Sequence, residues 1–150
     1  MRIILHQPDI PQNTGAILRL AACLGAEVAI IGPLGYTLDD RRLARAGMDY
    51  VQLLSWRFHP SWESFADTLR RGRLLAFTTK ASRAYFDFPF EESDELLFGS
   101  ESAGLPPFLH EAADDRLVIP MAAGARSLNL AMAVSIVLAE ARRQLHYNRS

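Results

Sequence analysis

The chain has 150 residues, 49% of them hydrophobic and 22% charged, with a formal net charge of −1. That length and composition suit one soluble domain with a single core, and they exclude a fibrous or disordered chain. The near-zero charge excludes the global basic field on which non-specific nucleic-acid binders rely. A lone cysteine, Cys23, excludes an internal disulfide and a cysteine-built metal site.

"MRIILH" opens a first strand, Arg2–Leu5, and is too short an apolar run for a secretory signal. In the "HQPDIPQNTGAILR" that follows, Asn13 has the identity of a helix N-cap, ahead of a helix over Thr14–Leu24. Ile17, Leu18 and Leu20 flank Arg19, which predicts a partly enclosed guanidinium; the alternative is a surface arginine. Cys23 in "LRLAACLG" reads as a small buried hydrophobe. A second strand is expected over Glu27–Ile31 and a helix over Asp39–Ala46. The stretch "DDRRLARAGMDY" carries Arg41, Arg42 and Arg45, either a local basic patch or a solvated face balanced by Asp39 and Asp40.

Further strands are expected at Val51–Leu54, Leu74–Thr78, Glu95–Phe98 and Arg116–Ile119, and further helices at Trp62–Arg71, Pro106–Ala112 and Leu128–Leu145. Most of the strands are continuous apolar runs, the pattern of strands buried on both faces of a parallel sheet. Alternation with helices gives an α/β class, a mainly parallel sheet with helices on both faces, in one domain over residues 1–150. His6, His59, His110 and His146 have no ligand spacing, so no metal is expected. The longest apolar run, Leu130 to Ala139, is interrupted by Ser135 and falls short of a membrane span, so a cytoplasmic protein is expected.

Ligands of such sheets bind beyond the carboxyl ends of the strands, so the loops that follow them carry the functional question. No G-x-G-x-x-G, P-loop or G-x-S-x-G signature is present. In "LLFGSESAGLP", Gly99 and Gly104 imply a tightly turning backbone with Glu101 between them. That carboxylate is a helix-start charge or a partner for a ligand amine, a ribose hydroxyl or an arginine. In "IPMAAGARSLNLAMAV", Ser127 is a fair N-cap for the helix from Leu128, and Asn129 lies in the first turn of a helix that is apolar nearly all round, hence expected to be buried. Arg126 and Asn129 there need partners, either one another and nearby backbone or a bound molecule.

Together "IPQNTGAILR", "RRLARAGMDY", "FGSESAGLP" and "IPMAAGARSLNLAMAVSIVLAEA" resemble the SPOUT superfamily of RNA methyltransferases. Within it they are most similar to the small single-domain branch of TrmL/YibK type, the tRNA wobble-nucleotide 2′-O-methyltransferases. The resemblance runs from Leu5 to Leu145. It implies a sheet whose C-terminal part is tied in a deep trefoil knot, an exception to the rule that chains do not thread loops. It implies S-adenosylmethionine as cofactor, leaving as S-adenosylhomocysteine, held by Phe77, Thr78, Gly99, Ile119, Ser127 and Leu128. It maps the catalytic, RNA-side residues to Asn13, Arg19, Glu101, Ser127 and Asn129. An RNA enzyme of such low net charge must recognise its substrate through a local patch, for which Arg41, Arg42, Arg45 and Arg126 are the candidates. The implied enzyme is a homodimer whose sites combine both subunits. Its implied substrate is the anticodon stem-loop of a tRNA, methylated on the ribose of pyrimidine 34, with leucine tRNA the expected class.

A sulfonium donor is already activated, so the chemistry needs no metal, only an in-line approach of the ribose 2′-oxygen. Arg19 is the family's usual nominee for assisting deprotonation. A guanidinium is effectively always protonated, so Arg19 is better read as a clamp that stabilises developing alkoxide charge. Two departures stand out: Ala103 where many relatives carry a basic residue, and a bland "MAAGA" before Arg126. The competing readings are a catalytically silent RNA- or cofactor-binding SPOUT protein and an unrelated flavodoxin-like nucleotide binder.

Overall fold

Among the described residues, the apolar runs become the interior of a seven-stranded parallel sheet, of order β3-β2-β1-β6-β4-β7-β5. The computed structural model describes residues 1–39, 53–68 and 70–147. In chain order these form β1 (Arg2–His6), α1 (Pro11–Leu24), β2 (Glu27–Ile31), β3 (Trp56–His59), α2 (Trp62–Ala66) and β4 (Leu74–Phe77). There follow β5 (Arg83–Ala84), a 3-10 turn (Tyr85–Asp87), β6 (Glu95–Phe98), α3 (Pro107–Ala112), β7 (Asp115–Val118) and α4 (Leu130–Arg142), which runs on as a wider π turn over Arg143–Tyr147.

Side chains alternate across each strand, so the sheet feeds two cores. Ile3, Leu5, Val28, Ile30, Leu96 and Phe98 pack with Ile17 and Leu18 of α1 and Val134, Val137 and Leu138 of α4. On the opposite face Ile4, Ala29, Ile31, Ala76 and Leu97 pack with Phe65 of α2 and Leu105 and Leu109 near α3. The expected α/β class, with helices on both faces, is what forms. At the start of the sheet the Arg2 guanidinium pairs with the buried Glu95 carboxylate and lies 4.9 Å from the Phe65 ring centre. None of the described helices is long and apolar enough to cross a membrane.

Several local expectations need correction. The third strand is not Val51–Leu54: residues 51 and 52 lie outside the description, Leu53 and Leu54 are not in a strand, and β3 begins at Trp56. β3 is an edge strand and buries only His59 fully, so the continuous apolar signature of an interior strand does not apply to it. The two-residue β5 was not expected; it closes the other edge and is too short to carry a periodic pattern. α2 stops at Ala66 rather than Arg71, capped at its start by Ser61 accepting from the Ser64 N–H. The expected helix over Asp39–Ala46, with Arg41, Arg42 and Arg45, lies outside the described residues apart from Asp39.

α1 begins at Pro11 with Ile10 as N-cap, so Asn13 is not the cap but a buried residue of the first turn. The buried stripe of α1 runs through Asn13, Thr14, Gly15, Ile17, Leu18, Ala21 and Ala22. Arg19 and Cys23, four apart on the opposite side, are therefore both exposed, against the expected enclosure of one and burial of the other. α4 begins at Leu130, two residues after the expected start, and its N-cap is Asn129 rather than Ser127. Nor is it buried all round: Met132 is 58% exposed and Leu128, just before the helix, 40%.

Two buried histidines give the fold an acid limit. Burial pushes His6 below the ordinary value, partly offset by Glu63; burial does the same to His59, reinforced by Arg2 and Arg57. A histidine held neutral in the native state takes up its proton first in the unfolded chain. Its contribution is therefore full above the unfolded value of about 6.5 and is lost as pH falls through the depressed native value. The urea midpoint is expected to fall between pH 7.5 and 5.5, and more shallowly in His59→Asn. An identical pH slope in that variant would clear His59 of the effect.

Candidate active site

A cavity of about 380 Å³ opens beyond the carboxyl ends of β4, β6 and β7. Its walls are the loops that follow those strands, together with the head of α4, as the general rule for open α/β sheets anticipates. Phe77 and Phe98, adjacent on β4 and β6, stack at 4.8 Å with 11° between their planes and form part of its apolar lining. Phe77, Thr78, Gly99, Ile119, Ser127 and Leu128 all line it, and so do Glu101 and Arg126. Asn13, Arg19 and Asn129 do not. Arg41, Arg42 and Arg45 lie outside the described residues.

The wall after β6 is a closed turn. The Gly104 N–H donates to the Ser100 carbonyl at 2.9 Å, and the Ala103 N–H to the Ser100 hydroxyl at 3.1 Å. Gly104 sits at φ 67, in the left-handed region that glycine adopts without strain. Gly99 is needed for a different reason: a β-carbon there would lie 2.2 Å from the Gly104 carbonyl carbon. Glu101 faces two ways. Its Oε2 accepts from the N–H groups of Asp9 and Ile10 at 2.6 and 3.0 Å, at the entry to α1, while its Oε1 is buried and has no partner among the described residues.

At the head of α4 the polar residues divide their work. Asn129 Oδ1 accepts from the N–H groups of Ala131 and Met132 at 2.9 and 3.2 Å, capping the helix. Its Nδ2 donates to Asn13 Oδ1 at 2.9 Å, which satisfies the buried amide of α1 and ties α1 to α4. Asn13 and Asn129 are thus partners of one another, and Ser127, relieved of capping, is left on the cavity wall. Arg19 stands on the outer face of α1.

Lys80, His110 and Met121 also line the cavity, beyond the residues expected from the sequence. Lys80 had a signal: it is the only lysine and lies in a loop that follows an interior strand. His110 and Met121 had none, because only the packing of α3 and the course of the loop after β7 bring them there. Among the described residues no cluster of three or more His, Cys, Asp or Glu is arranged to hold a metal. A second cavity of about 360 Å³ lies against β1, β2 and β3. Of its guanidinium groups, Arg2 is engaged by Glu95 and Arg71 by Glu27, leaving less free chemistry than the first.

The model of the SpoU rRNA Methylase family matches residues 1–139. The chain belongs to that family. Among its SpoU relatives, the tRNA (cytidine(34)-2'-O)-methyltransferase of Beijerinckia indica is 50% identical over 145 residues, spanning 95% of this chain and 91% of that one. A structure solved in work on the 2-OH methylation of C/U34 on tRNA superposes with a TM-score of 0.91 at 42% identity, covering 98% of this chain and 97% of that chain. The SpoU methyltransferase AviRb of Streptomyces viridochromogenes, solved with its cofactor AdoMet, superposes with a TM-score of 0.89 at 30% identity. This chain spans 59% of AviRb, and 99% of its own length is covered. The cavity of this SpoU methylase thus sits in a fold shared over its whole length with chains of like size.

Proposed function

We propose that the protein transfers a methyl group from S-adenosylmethionine to the ribose 2′-oxygen of the wobble nucleotide, position 34, of a tRNA. The observation that carries this is the convergence of Phe77, Thr78, Gly99, Ile119, Ser127 and Leu128, from the carboxyl ends of β4, β6 and β7 and the chain that follows them, on one cavity. The likeness to cytidine-34 methyltransferases over nearly the whole chain supports the position on the RNA.

The cavity suits the cofactor. Its apolar lining by Phe77, Phe98, Ile119 and Leu130 matches an adenine, and Glu101 Oε1, without a partner among the described residues, is an acceptor for an ammonium or hydroxyl group. When bound, S-adenosylmethionine supplies an activated methyl group, so the residues around it need only bind, orient and exclude water. The loop walls fix the donor by shape and backbone contacts. Arg126, exposed on the rim, is placed to meet an RNA phosphate. The 2′-oxygen must approach in line and shed its proton, and a guanidinium fork stabilises the developing alkoxide without itself acting as base.

Arg19 is our nominee for that fork, supplied by a second copy of the chain. Within one chain it does not line the cavity, and large apolar residues stand exposed at both α1 and α4. Met132 and Leu128 at α4 and Ile10 and Leu24 at the two ends of α1 are 58%, 40%, 42% and 37% exposed. We read this as a homodimer face, and the whole chain as one cytoplasmic domain with a knotted C-terminal part. A leucine tRNA is the substrate class we favour.

The test is to incubate tRNA from a strain lacking the gene with the protein and labelled S-adenosylmethionine and to map the modified nucleosides. A 2′-O-methyl nucleotide at position 34 is expected. Cofactor binding with no methylated tRNA would make the protein a binding module instead. Arg19→Lys is expected to lower turnover at saturating RNA by about 100-fold, the scale of losing one oriented charge donor. Retention of most of the turnover would end a planar-guanidinium role for Arg19.

A further inference from the structure

The loop after β1 and the loop after β6 hold each other by reciprocal bonds. Glu101 Oε2 accepts the backbone N–H groups of Asp9 and Ile10. In return Asp9 Oδ2 accepts the backbone N–H of Ser102 at 3.0 Å and the Ser102 hydroxyl. Ser102 and Glu101 line the cavity, whereas Asp9 does not. Each carboxylate thus receives the donors next to the other. Bonds to an ionised acceptor are the strong kind, and the Ser102 hydroxyl and N–H hold the Asp9 carboxyl below its usual range, so it is ionised at neutral pH.

The clamp has a consequence for Glu101. With Oε2 committed to the entry of α1, the carboxylate is not free to rotate away. Its Oε1 is left buried and without a partner among the described residues. A buried acceptor is ordinarily satisfied, and leaving one empty costs about 1–3 kcal/mol. Nothing in the loop's own hydrogen bonding requires Oε1 to stay empty, while a ligand in the cavity would fill it.

We infer that Asp9 is a positioning residue: by gripping Ser102 it fixes the Glu101 carboxylate so that its second oxygen is held for an N–H or O–H donor of the bound cofactor. The inference rests on the cofactor reading above. Asp9 acts only through Ser102 and Glu101 and never touches the ligand.

Two variants and two readouts test it. Asp9→Ala removes the acceptor, whereas Asp9→Asn keeps an oxygen for the Ser102 N–H. Affinity for S-adenosylhomocysteine, measured by calorimetry, is expected to fall about tenfold in Asp9→Ala, the scale of losing a charge-assisted bond, and less than about threefold in Asp9→Asn. The KM for S-adenosylmethionine should rise with it while kcat at saturating cofactor changes less. In the ligand-free protein, amide hydrogen exchange at Ser102, Ala103 and Gly104 should speed up in Asp9→Ala and not in Asp9→Asn. Unchanged exchange in Asp9→Ala, or unchanged affinity beside a wild type that binds, overturns the inference. A wild type that binds no S-adenosylhomocysteine overturns the cofactor reading instead, and exchange then still decides whether the clamp exists.

Discussion

Gly99→Ala is expected to destabilise the protein by about 3 kcal/mol or more and to abolish cofactor binding, the largest effect of any single methyl group in the cavity. The added carbon would stand 2.2 Å from the Gly104 carbonyl carbon, 2.4 Å from the Leu105 nitrogen and 2.5 Å from the Gly104 oxygen. All of these are backbone atoms, so no side chain can swing aside. Relief requires opening the turn over residues 99–105, which is also a cavity wall. Gly104→Ala is the matched control: nothing lies within 4 Å of its β-carbon, and only the left-handed φ of 67 is unfavourable. That conformation costs a non-glycine residue about 1–2 kcal/mol. Urea midpoints for the two variants should therefore differ clearly, with Gly99→Ala lower. Equal midpoints would mean that the two ends of the turn do not approach as closely as 2.2 Å implies.

Asn129→Ala is expected to cost roughly 2–4 kcal/mol, combining a lost helix cap with an acceptor left unpaired on the buried Asn13. For a chain of this size that is a fall of roughly 4–16 °C in Tm. Asn129→Asp separates the two parts, because aspartate caps a helix as well as asparagine but cannot donate to Asn13 Oδ1. It should lie between wild type and Asn129→Ala. Asn13→Ala added to Asn129→Ala should cost less than in the wild-type background, since its partner is already gone. An Asn129→Asp protein as stable as wild type would show that the bond between the two amides contributes nothing.

Much of the architecture was legible because interior strands carry an unmistakable pattern. "RIILH", "EVAII", "LLAF" and "ELLF" are apolar on both faces, and each forms a strand flanked by two cores. The misreadings lie where that logic fails. Trp56–His59 has a solvent-facing edge, and Arg83–Ala84 is too short for any period to show. The caps were misassigned for one reason. Asn13 and Ser127 have the chemistry of N-caps, but capping is decided by where backbone N–H groups point, and Ile10 and Asn129 occupy those places. Arg19 and Cys23 were judged by their apolar neighbours along the chain, whereas a helix sorts residues by angle. The six residues that the resemblance nominates for the cofactor fall on the cavity wall, and Lys80, His110 and Met121, which it does not nominate, fall there too. The pairing of Asn13 with Asn129 and of Asp9 with Ser102 was not legible, because bonds spanning 116 and 93 residues leave no local trace.

β1 sits in the middle of the sheet, yet its neighbour on one side, β6, lies far along the chain, Arg2 pairing with Glu95. The ribosome delivers the chain from its N-terminus at about 5–20 residues per second, so one edge of β1 waits roughly 5–20 s for its partner. During that interval Ile3, Ile4 and Leu5 present a bare apolar strand edge, the kind of surface that recruits other chains. The cavity waits longer still, since its last wall comes from residues beyond Ile119. The order of synthesis thus separates the two events: the strand edge is covered when β6 arrives, and the cavity closes only after the loop that follows β7 has emerged.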